Sequence, residues 1–346
     1  MEVDKQYCMS SYLMYRYVYD KDKSFQKDVR CQVENMTFPR VPVRTAEELL
    51  AAIKSRIEAA CQDEKAVLAL SGGMDSAILA KFMPEGAKAY TFRCIVPGKR
   101  VQDETCFAAH WAQVCGLEHE VVDIYWEDIA DASKILMRYK GAPIHSIEAQ
   151  IYLAAKKAKE DGAERFIFGE NADIIYGGMN GLLAKDWLYA EFVERYTYIM
   201  PYRVLREPKM PLAPFHEFEF NGYIDGYDFT NKYFRQEALG TYQNACRAAG
   251  IALTVPYAET YLDEPIDYVR IRSGDTKYII REAFKILYPQ EKVPEKIPMP
   301  RPMDEWLAKW DGPKRSEFLP HCTDIMTGDQ KWMVWSLEEY LNLIEG

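Results

Sequence analysis

Residues 65–83 read KAVLALSGGMDSAILAKFM, and the change of period inside this stretch decides the fold. An apolar run from Ala66 to Leu70 breaks at Ser71-Gly72-Gly73, and apolar residues resume at helical spacing from Asp75. The pattern predicts a strand, a tight glycine turn and a helix. Gly72 and Gly73 let the backbone pass close to a ligand, and the unpaired amides of a new helix point at whatever sits there. Together with roughly half a positive charge at the helix start and the hydroxyls of Ser71 and Ser76, those amides suit a phosphate. Asp75 needs a separate explanation. A carboxylate beside a phosphate repels it unless a cation lies between, which makes Asp75 a candidate magnesium ligand. The local sequence also allows a plain turn followed by a solvated first-turn acid. The stretch is neither a Walker loop nor GxGxxG, because the lysine of the first and the glycine spacing of the second are missing.

Composition narrows the function classes. A chain of 346 residues with 48% hydrophobic content can bury a substantial core as one large domain or two modest ones. No run approaches the roughly 18 apolar residues of a membrane helix, and MEVDKQYCMS lacks the basic and apolar regions of a signal peptide. A cytoplasmic protein with no membrane partner is expected. The eight cysteines show neither CxxC nor zinc spacing, so reduced packing thiols are expected, and the five histidines are dispersed without ligand spacing. A formal charge of -10 counts against a nucleic-acid partner.

Working outward, residues 1–44 carry SSYLMYRYVYD and TFPRVPV and read as an extended lead-in with some packing face. Thr45 and Glu48 have the spacing of a capping box, followed by Leu49, Ile53, Ile57 and Ala60 on one helical face. Strands are predicted over 87–92, 118–124 and 165–168, and helices over 103–115, 126–139 and 147–159. This alternation predicts an α/β fold, a parallel sheet with helices on both faces, in which ligands bind beyond the carboxyl ends of the strands. Residues 45–346 form the expected domain, with a sheet core over about 60–180 and a mainly helical substrate portion over about 181–346. The tail WSLEEYLNLI reads as an amphipathic helix packing through Trp335, Leu337, Tyr340, Leu341 and Ile344.

A second acidic turn, GENADIIYGG, occupies residues 169–178. Glu170 and Asp173 sit close enough to present both carboxylates around one turn, although capping of the following helix would also place acids there. If both turns open at the same sheet edge, Asp75 and Asp173 can share a magnesium and Glu170 can serve as a base for an incoming amine. Tyr176, Tyr257 and Tyr261 are either acceptor-pocket or core aromatics.

SGGMDS resembles the SGGxDS loop of the ATP pyrophosphatases, or PP-loop enzymes, which split ATP between its α and β phosphates. Gly169-Glu170-Asn171-Ala172-Asp173-Ile174 followed by Gly177-Gly178 is similar to the GEGADE and GGY of asparagine synthetases and their relatives. Asp103-Glu104, the segment Gly116-Leu117-Glu118-His119, and the run from Gly274 through Lys277-Tyr278 to Arg281-Glu282-Ala283 extend the likeness. Lys296, Met299, Pro302 and Trp306 resemble the family's later KxxFxxPxxxW, so that the resemblance covers about residues 45–345. It implies an adenine nucleotide α-hydrolase-like fold and the use of ATP and magnesium. It also implies ATP binding at Leu70, Ser71, Gly72, Gly73, Asp75, Ser76 and Gly169, and metal binding at Asp75 and Asp173. Catalytic roles fall to Glu170, Lys277 and Lys296, the two lysines reaching the ATP phosphates and the leaving pyrophosphate.

The reaction so implied is adenylation of a small-molecule carboxylate followed by transfer to ammonia or an amine. The family's glutaminase domain with its N-terminal cysteine has no counterpart in these residues, so ammonia would come free or from a separate glutaminase subunit. A homo-oligomer fits the same picture. The chain departs from the family at Ile174 (an acid), Asn171 (a glycine), Thr254 (an arginine) and Phe168 (a small residue), which points to a carboxylate other than aspartate or to a different amine. A tRNA-modifying pyrophosphatase and a weakened nucleotide-binding sensor or scaffold are the alternatives, the loss of acid at Ile174 being the support for the second.

Overall fold

The apolar runs become the strands of one parallel sheet in the computed structural model, which describes residues 2–31, 38–62, 65–295 and 299–345. In chain order the principal elements are α1 (Lys5–Tyr15), α2 (Ala46–Gln62), β1 (Ala66–Ala69), α3 (Met74–Ala80), β2 (Lys88–Cys94), α4 (Thr105–Cys115) and β3 (Glu118–Ile124). There follow α5 (Trp126–Lys140), α6 (Ser146–Glu160), β4 (Arg165–Ile167), α7 (Ala172–Ile175), α8 (Arg235–Ala248), β5 (Ala252–Thr254), α9 (Tyr278–Leu287) and α10 (Gly328–Glu345). Among the described residues no helix is long and apolar enough to cross a membrane.

The sheet order is β5-β4-β1-β2-β3, with every neighbouring pair parallel. From β1 the chain moves outward to β2 and β3, then returns to the other side of β1 as β4. The order therefore reverses between β1 and β4, and in such sheets the crevice beyond that reversal is where ligands bind. Leu68 of β1 stands opposite both Ile167 of β4 and Ala89 of β2, so the turns after β1 and β4 leave the sheet level with one another.

Side chains alternate across the sheet with the strand period of two. Val67, Tyr90 and Phe166 point into one core with α1, α5, α6, α8 and α10, while Leu68, Ala89 and Ile167 point into a second with α2, α3, α4 and α9. Helices thus cover both faces. In α10, Leu337, Tyr340 and Leu341 are buried and Trp335 and Ile344 pack against them at the edge of the first core.

Three local expectations are revised. Residues 5–15 are helical, not extended: the Asp4 carboxylate caps α1 by accepting from the Tyr7 amide at 3.0 Å, and Cys8 through Tyr15 are all buried. A helix buried on nearly every side, with Ser10 and Ser11 among its buried residues, has no amphipathic stripe to betray it in sequence. Tyr12 and Tyr15 are core residues with satisfied hydroxyls, Tyr12 donating to the Ile144 carbonyl and Tyr15 to the Pro211 carbonyl, each at 2.7 Å. Second, β5 adds a strand to the sheet from within the part of the chain read as helical. Third, Thr45 accepts from the Glu48 amide as expected, but the Glu48 carboxylate reaches past Thr45 to the Arg44 amide at 2.7 Å.

One polar cluster sits inside the first core. Lys140 at the end of α5 donates to Glu148 in the first turn of α6 at 2.8 Å, and both side chains are almost wholly buried. Glu148 also accepts from Asn244 of α8. Removing one partner strands a charge that water cannot reach. Lys140→Met is therefore expected to lower the unfolding free energy by about 3–5 kcal/mol, measured as a shift in the denaturant midpoint. Part of that loss should return in Lys140→Met combined with Glu148→Met, and an unchanged midpoint in the single variant would contradict the pairing.

Candidate functional site

The turn after β1 is held together by its own serines. The Ser71 amide donates to Ser76 Oγ at 3.1 Å, the Gly73 amide donates to Ser71 Oγ at 3.1 Å, and the two hydroxyls lie 2.8 Å apart. The Gly72 amide donates to the Glu104 carboxylate at 3.0 Å. The amides of Ser71, Gly72 and Gly73, expected to stand open for an anion, are therefore engaged by protein acceptors that a phosphate would have to replace. Gly72 is turned away from the cavity, because a Cβ there would lie 2.7 Å from Cβ of Phe107 on α4. Burial raises the pKa of Glu104; its hydrogen bond from Gly72 opposes that rise and the charge of Asp103 adds to it.

The turn after β4 opens beside the first, since a Cβ on Gly169 would meet Asp75 Cβ at 3.5 Å. Asn171, where the resemblance expects glycine, takes φ 73° at the start of α7. Asparagine tolerates this left-handed region better than other residues with a side chain, so the turn survives the exchange. Asp173 then projects from the first turn of α7 toward Asp75.

Lys277 closes the arrangement from the other half of the chain. Its ammonium lies 2.5 Å from Asp75 Oδ2 and 3.3 Å from Asp173 Oδ1. Its backbone is also left-handed, with φ 54°, at the start of α9. Burial pushes the ammonium toward losing its proton, and the two carboxylates outweigh that effect and hold its pKa above the ordinary lysine value. Gly178 is required here, because a Cβ would collide with the Asp173 carboxylate and stand 2.7 Å from Lys277 Cδ. From behind, the buried Tyr257 donates to the Asp75 carbonyl at 3.0 Å.

These groups border a cavity of about 390 Å³ at the carboxyl ends of β1 and β4. Of the residues singled out from sequence, Leu70, Ser71, Gly73, Asp75, Ser76, Gly169, Glu170, Asp173 and Lys277 line it, and Gly72 does not. Lys296 lies outside the described residues, but Pro294 and Met299 line the cavity. Glu170 accepts from the Asn171 amide at 2.9 Å. Burial lifts its pKa, helped by the charge of Asp173 and opposed by the Asn171 amide and the nearby Tyr242 hydroxyl.

Glu104, Tyr242 and Arg281 also border the cavity without having been assigned a place there by sequence. Arg281 follows Lys277 by one helical turn, so that helical spacing carried the signal for it. Tyr242 arrives from α8 and had no local signal. Tyr176 and Tyr257 are core residues, Tyr176 sharing a 2.6 Å hydrogen bond with Thr260, and Tyr261 lines neither this cavity nor the larger chamber beside it. Ile174 is buried in α7 and faces neither space, Thr254 accepts from Arg165 at 3.0 Å, and Phe168 packs at a tilt against Phe166 and edge-on against Tyr242 while lining the cavity.

The donor set fits magnesium held jointly with phosphate oxygens. Asp75 and Asp173 aim carboxylate oxygens at a common point, the hard oxygen ligands this ion takes, and magnesium retains waters and substrate phosphates in its remaining positions. The Lys277 ammonium stands between the two acids. Among the described residues no group of three or more His, Cys, Asp or Glu side chains gathers to hold a metal by itself.

An asparagine synthase family model matches residues 44–315. No curated protein matches the chain. Among solved structures, the chain is similar to an NH3-dependent NAD synthetase from Campylobacter jejuni, at 15% identity over 38% of this chain and 58% of that one, with a TM-score of 0.25. It thus spans little more than half the length of that enzyme. It is also similar to an NMN synthetase from Francisella tularensis, at 13% identity over 74% and 99% of the two chains with a TM-score of 0.29. A U34-tRNA thiolase from Methanococcus maripaludis matches at 13% identity over 72% and 82%, with a TM-score of 0.29.

The crowding at Gly178 gives a direct test of the cluster. Gly178→Ala is expected to part Asp173 from Lys277 and weaken nucleotide binding by about tenfold or more, the loss of one charge-assisted contact. Nucleotide titration measures this, with circular dichroism as the check on folding. Unchanged affinity in a folded variant would separate the cluster from the nucleotide.

Proposed function

The chain belongs to the asparagine synthase family, and from that premise we propose that it is an ATP-dependent amide-forming ligase which adenylates a carboxylate, releases pyrophosphate and passes the acyl group to ammonia or an amine. The family supports a ligase-type enzyme that uses ATP. The observation that carries the finer reading is the meeting of Asp75, Asp173 and Lys277 at the point where the strand order reverses.

In the first step a substrate carboxylate oxygen attacks the α-phosphorus of ATP and the bond to the bridging oxygen breaks. Pyrophosphate leaves with the bond electrons, and the acyl adenylate remains. Charge builds on the departing oxygens, and the Lys277 ammonium, kept protonated by its two carboxylates, is placed to stabilise it. Arg281 adds a second fixed cation at the wall. Magnesium, when held by Asp75, Asp173 and phosphate oxygens, supplies further neutralisation of the leaving group. Lys296 is assigned the same role as Lys277 by the family resemblance.

In the second step the nitrogen attacks the acyl carbon, AMP leaves, and the nitrogen gives up a proton. Glu170 is the nearby base. Its raised pKa keeps the carboxyl protonated to higher pH than an ordinary glutamate, so the competent carboxylate appears only as the pH rises through that raised value. The buried position of Ile174 removes the main argument for a weakened scaffold, since an acid there would not face the cavity.

The test is acid-dependent pyrophosphate release from ATP and magnesium across a panel of carboxylates, with and without ammonia. Wild type should release pyrophosphate with a restricted set of acids, and Asp75→Asn or Lys277→Met should cut the rate by about 10²–10³, as for loss of a charge stabiliser. Release that ignores the acid, or that survives both substitutions, would contradict the reading. Amide formation should show an acidic limb above the ordinary carboxylate range, and Glu170→Gln should slow amide formation by about 10²–10⁴ and abolish that limb. The same limb persisting in the variant would take the base role from Glu170.

A further inference from the structure

Beyond Gly178 and Asn180, which border the nucleotide cavity, lies a larger chamber of about 670 Å³ whose wall includes the same two residues. The two spaces therefore adjoin beside the Asp173–Lys277 contact. The chamber is built largely by parts of the chain that the nucleotide site does not use: the end of α1, the segment 195–198, Phe234 before α8, and the start of α10.

Its chemistry is cationic and aromatic. Arg16, Arg195 and Arg301 line it, together with Tyr196, Tyr198 and Phe234. Two of the arginines are matched by acids. Arg16 pairs with Glu237 at 2.9 Å, and Arg301 with Asp329 at 3.2 Å. Arg195 has no carboxylate within ion-pair distance among the described residues. Its guanidinium reaches toward the shared wall, because a Cβ on Gly181 would lie 2.7 Å from Nη2. Burial and the charges of Arg16 and Arg301 keep His145 neutral, and its Nε2 accepts from Arg16 at 2.8 Å.

Arg16 Nε, the Tyr196 hydroxyl and the Thr197 hydroxyl are buried with no hydrogen-bond partner among the described residues. Buried polar groups are ordinarily partnered, so the residues of this wall are not fully satisfied by the protein alone. Chambers of this volume and lining accommodate a molecule with an apolar body and a few placed polar groups.

We propose that this chamber is the acceptor site and that it selects a carboxylic acid bearing a second anionic group on an apolar or aromatic body. The remote anion is held by Arg195, and the carboxylate to be adenylated is presented past Gly178 to the nucleotide. The acceptor role rests on the ligase reading above. The anion-binding chamber rests on its own residues.

The test compares N-benzoyl-glutamate with N-benzoyl-norvaline, which share a body and differ in the second carboxylate. Calorimetry on the full chain should show the diacid binding about tenfold or more tightly, and acid-dependent pyrophosphate release should follow the same order. Arg195→Gln should remove most of the preference, and Gly181→Ala should reduce it by pushing the guanidinium aside. The control is Arg203→Gln, whose side chain is 62% exposed and does not line the chamber; it should keep the preference. Equal binding of the two acids, binding of neither, or a preference that survives Arg195→Gln would overturn the chamber assignment. Diacid-selective binding without pyrophosphate release would support the anion chamber and overturn the ligase reading. Release driven equally by both acids would do the reverse.

Discussion

A buried ammonium between two carboxylates organises this protein. Lys277, Asp75 and Asp173 come from three distant parts of the chain, and the buried ammonium could not hold its charge at low cost alone. An unpaired charge moved out of water loses several kcal/mol of solvation, so the two carboxylates make the ammonium tolerable. Lys277 also carries a left-handed backbone, a conformation disfavoured for a residue with a side chain, which the surrounding contacts must hold in place. The contact fixes α9 against the reversal point of the sheet, and it places one positive charge in the wall of the cavity.

The surroundings of that contact explain several residue choices that otherwise look unrelated. Gly178 is small because Asp173 and Lys277 occupy the space a side chain would fill, and Gly72 is small because Phe107 does. Asn171 can stand for glycine because only a left-handed backbone is required there. Tyr257 anchors Asp75 through its carbonyl, leaving the carboxylate to face the cavity. The turn after β1 satisfies its amides with Ser71, Ser76 and Glu104.

Much of this was legible in the sequence because it is local. The β1 turn, the β4 turn and the alternation of strands with helices each leave a periodic or glycine signal within a dozen residues. The late lysine, Lys277, was assigned through family resemblance, since a lone lysine carries no chemistry of its own. What escaped was non-local or masked by burial. The first helix, α1, is buried on nearly every side and showed no stripe, β5 is three residues long, and Tyr242 reaches Glu170 from a helix with no motif. The second chamber was invisible for the same reason, because Arg16, Arg195 and Arg301 converge only after both ends of the chain have packed on the sheet.

The central claim is that this site cleaves ATP between its α and β phosphates in the service of acyl activation. Phosphorus NMR of the products formed from ATP, magnesium and an accepted carboxylate tests it most directly. AMP and pyrophosphate in equal amounts, appearing only with the acid, are what the arrangement of Asp75, Asp173 and Lys277 predicts. ADP and orthophosphate would place the cleaved bond elsewhere and contradict the account.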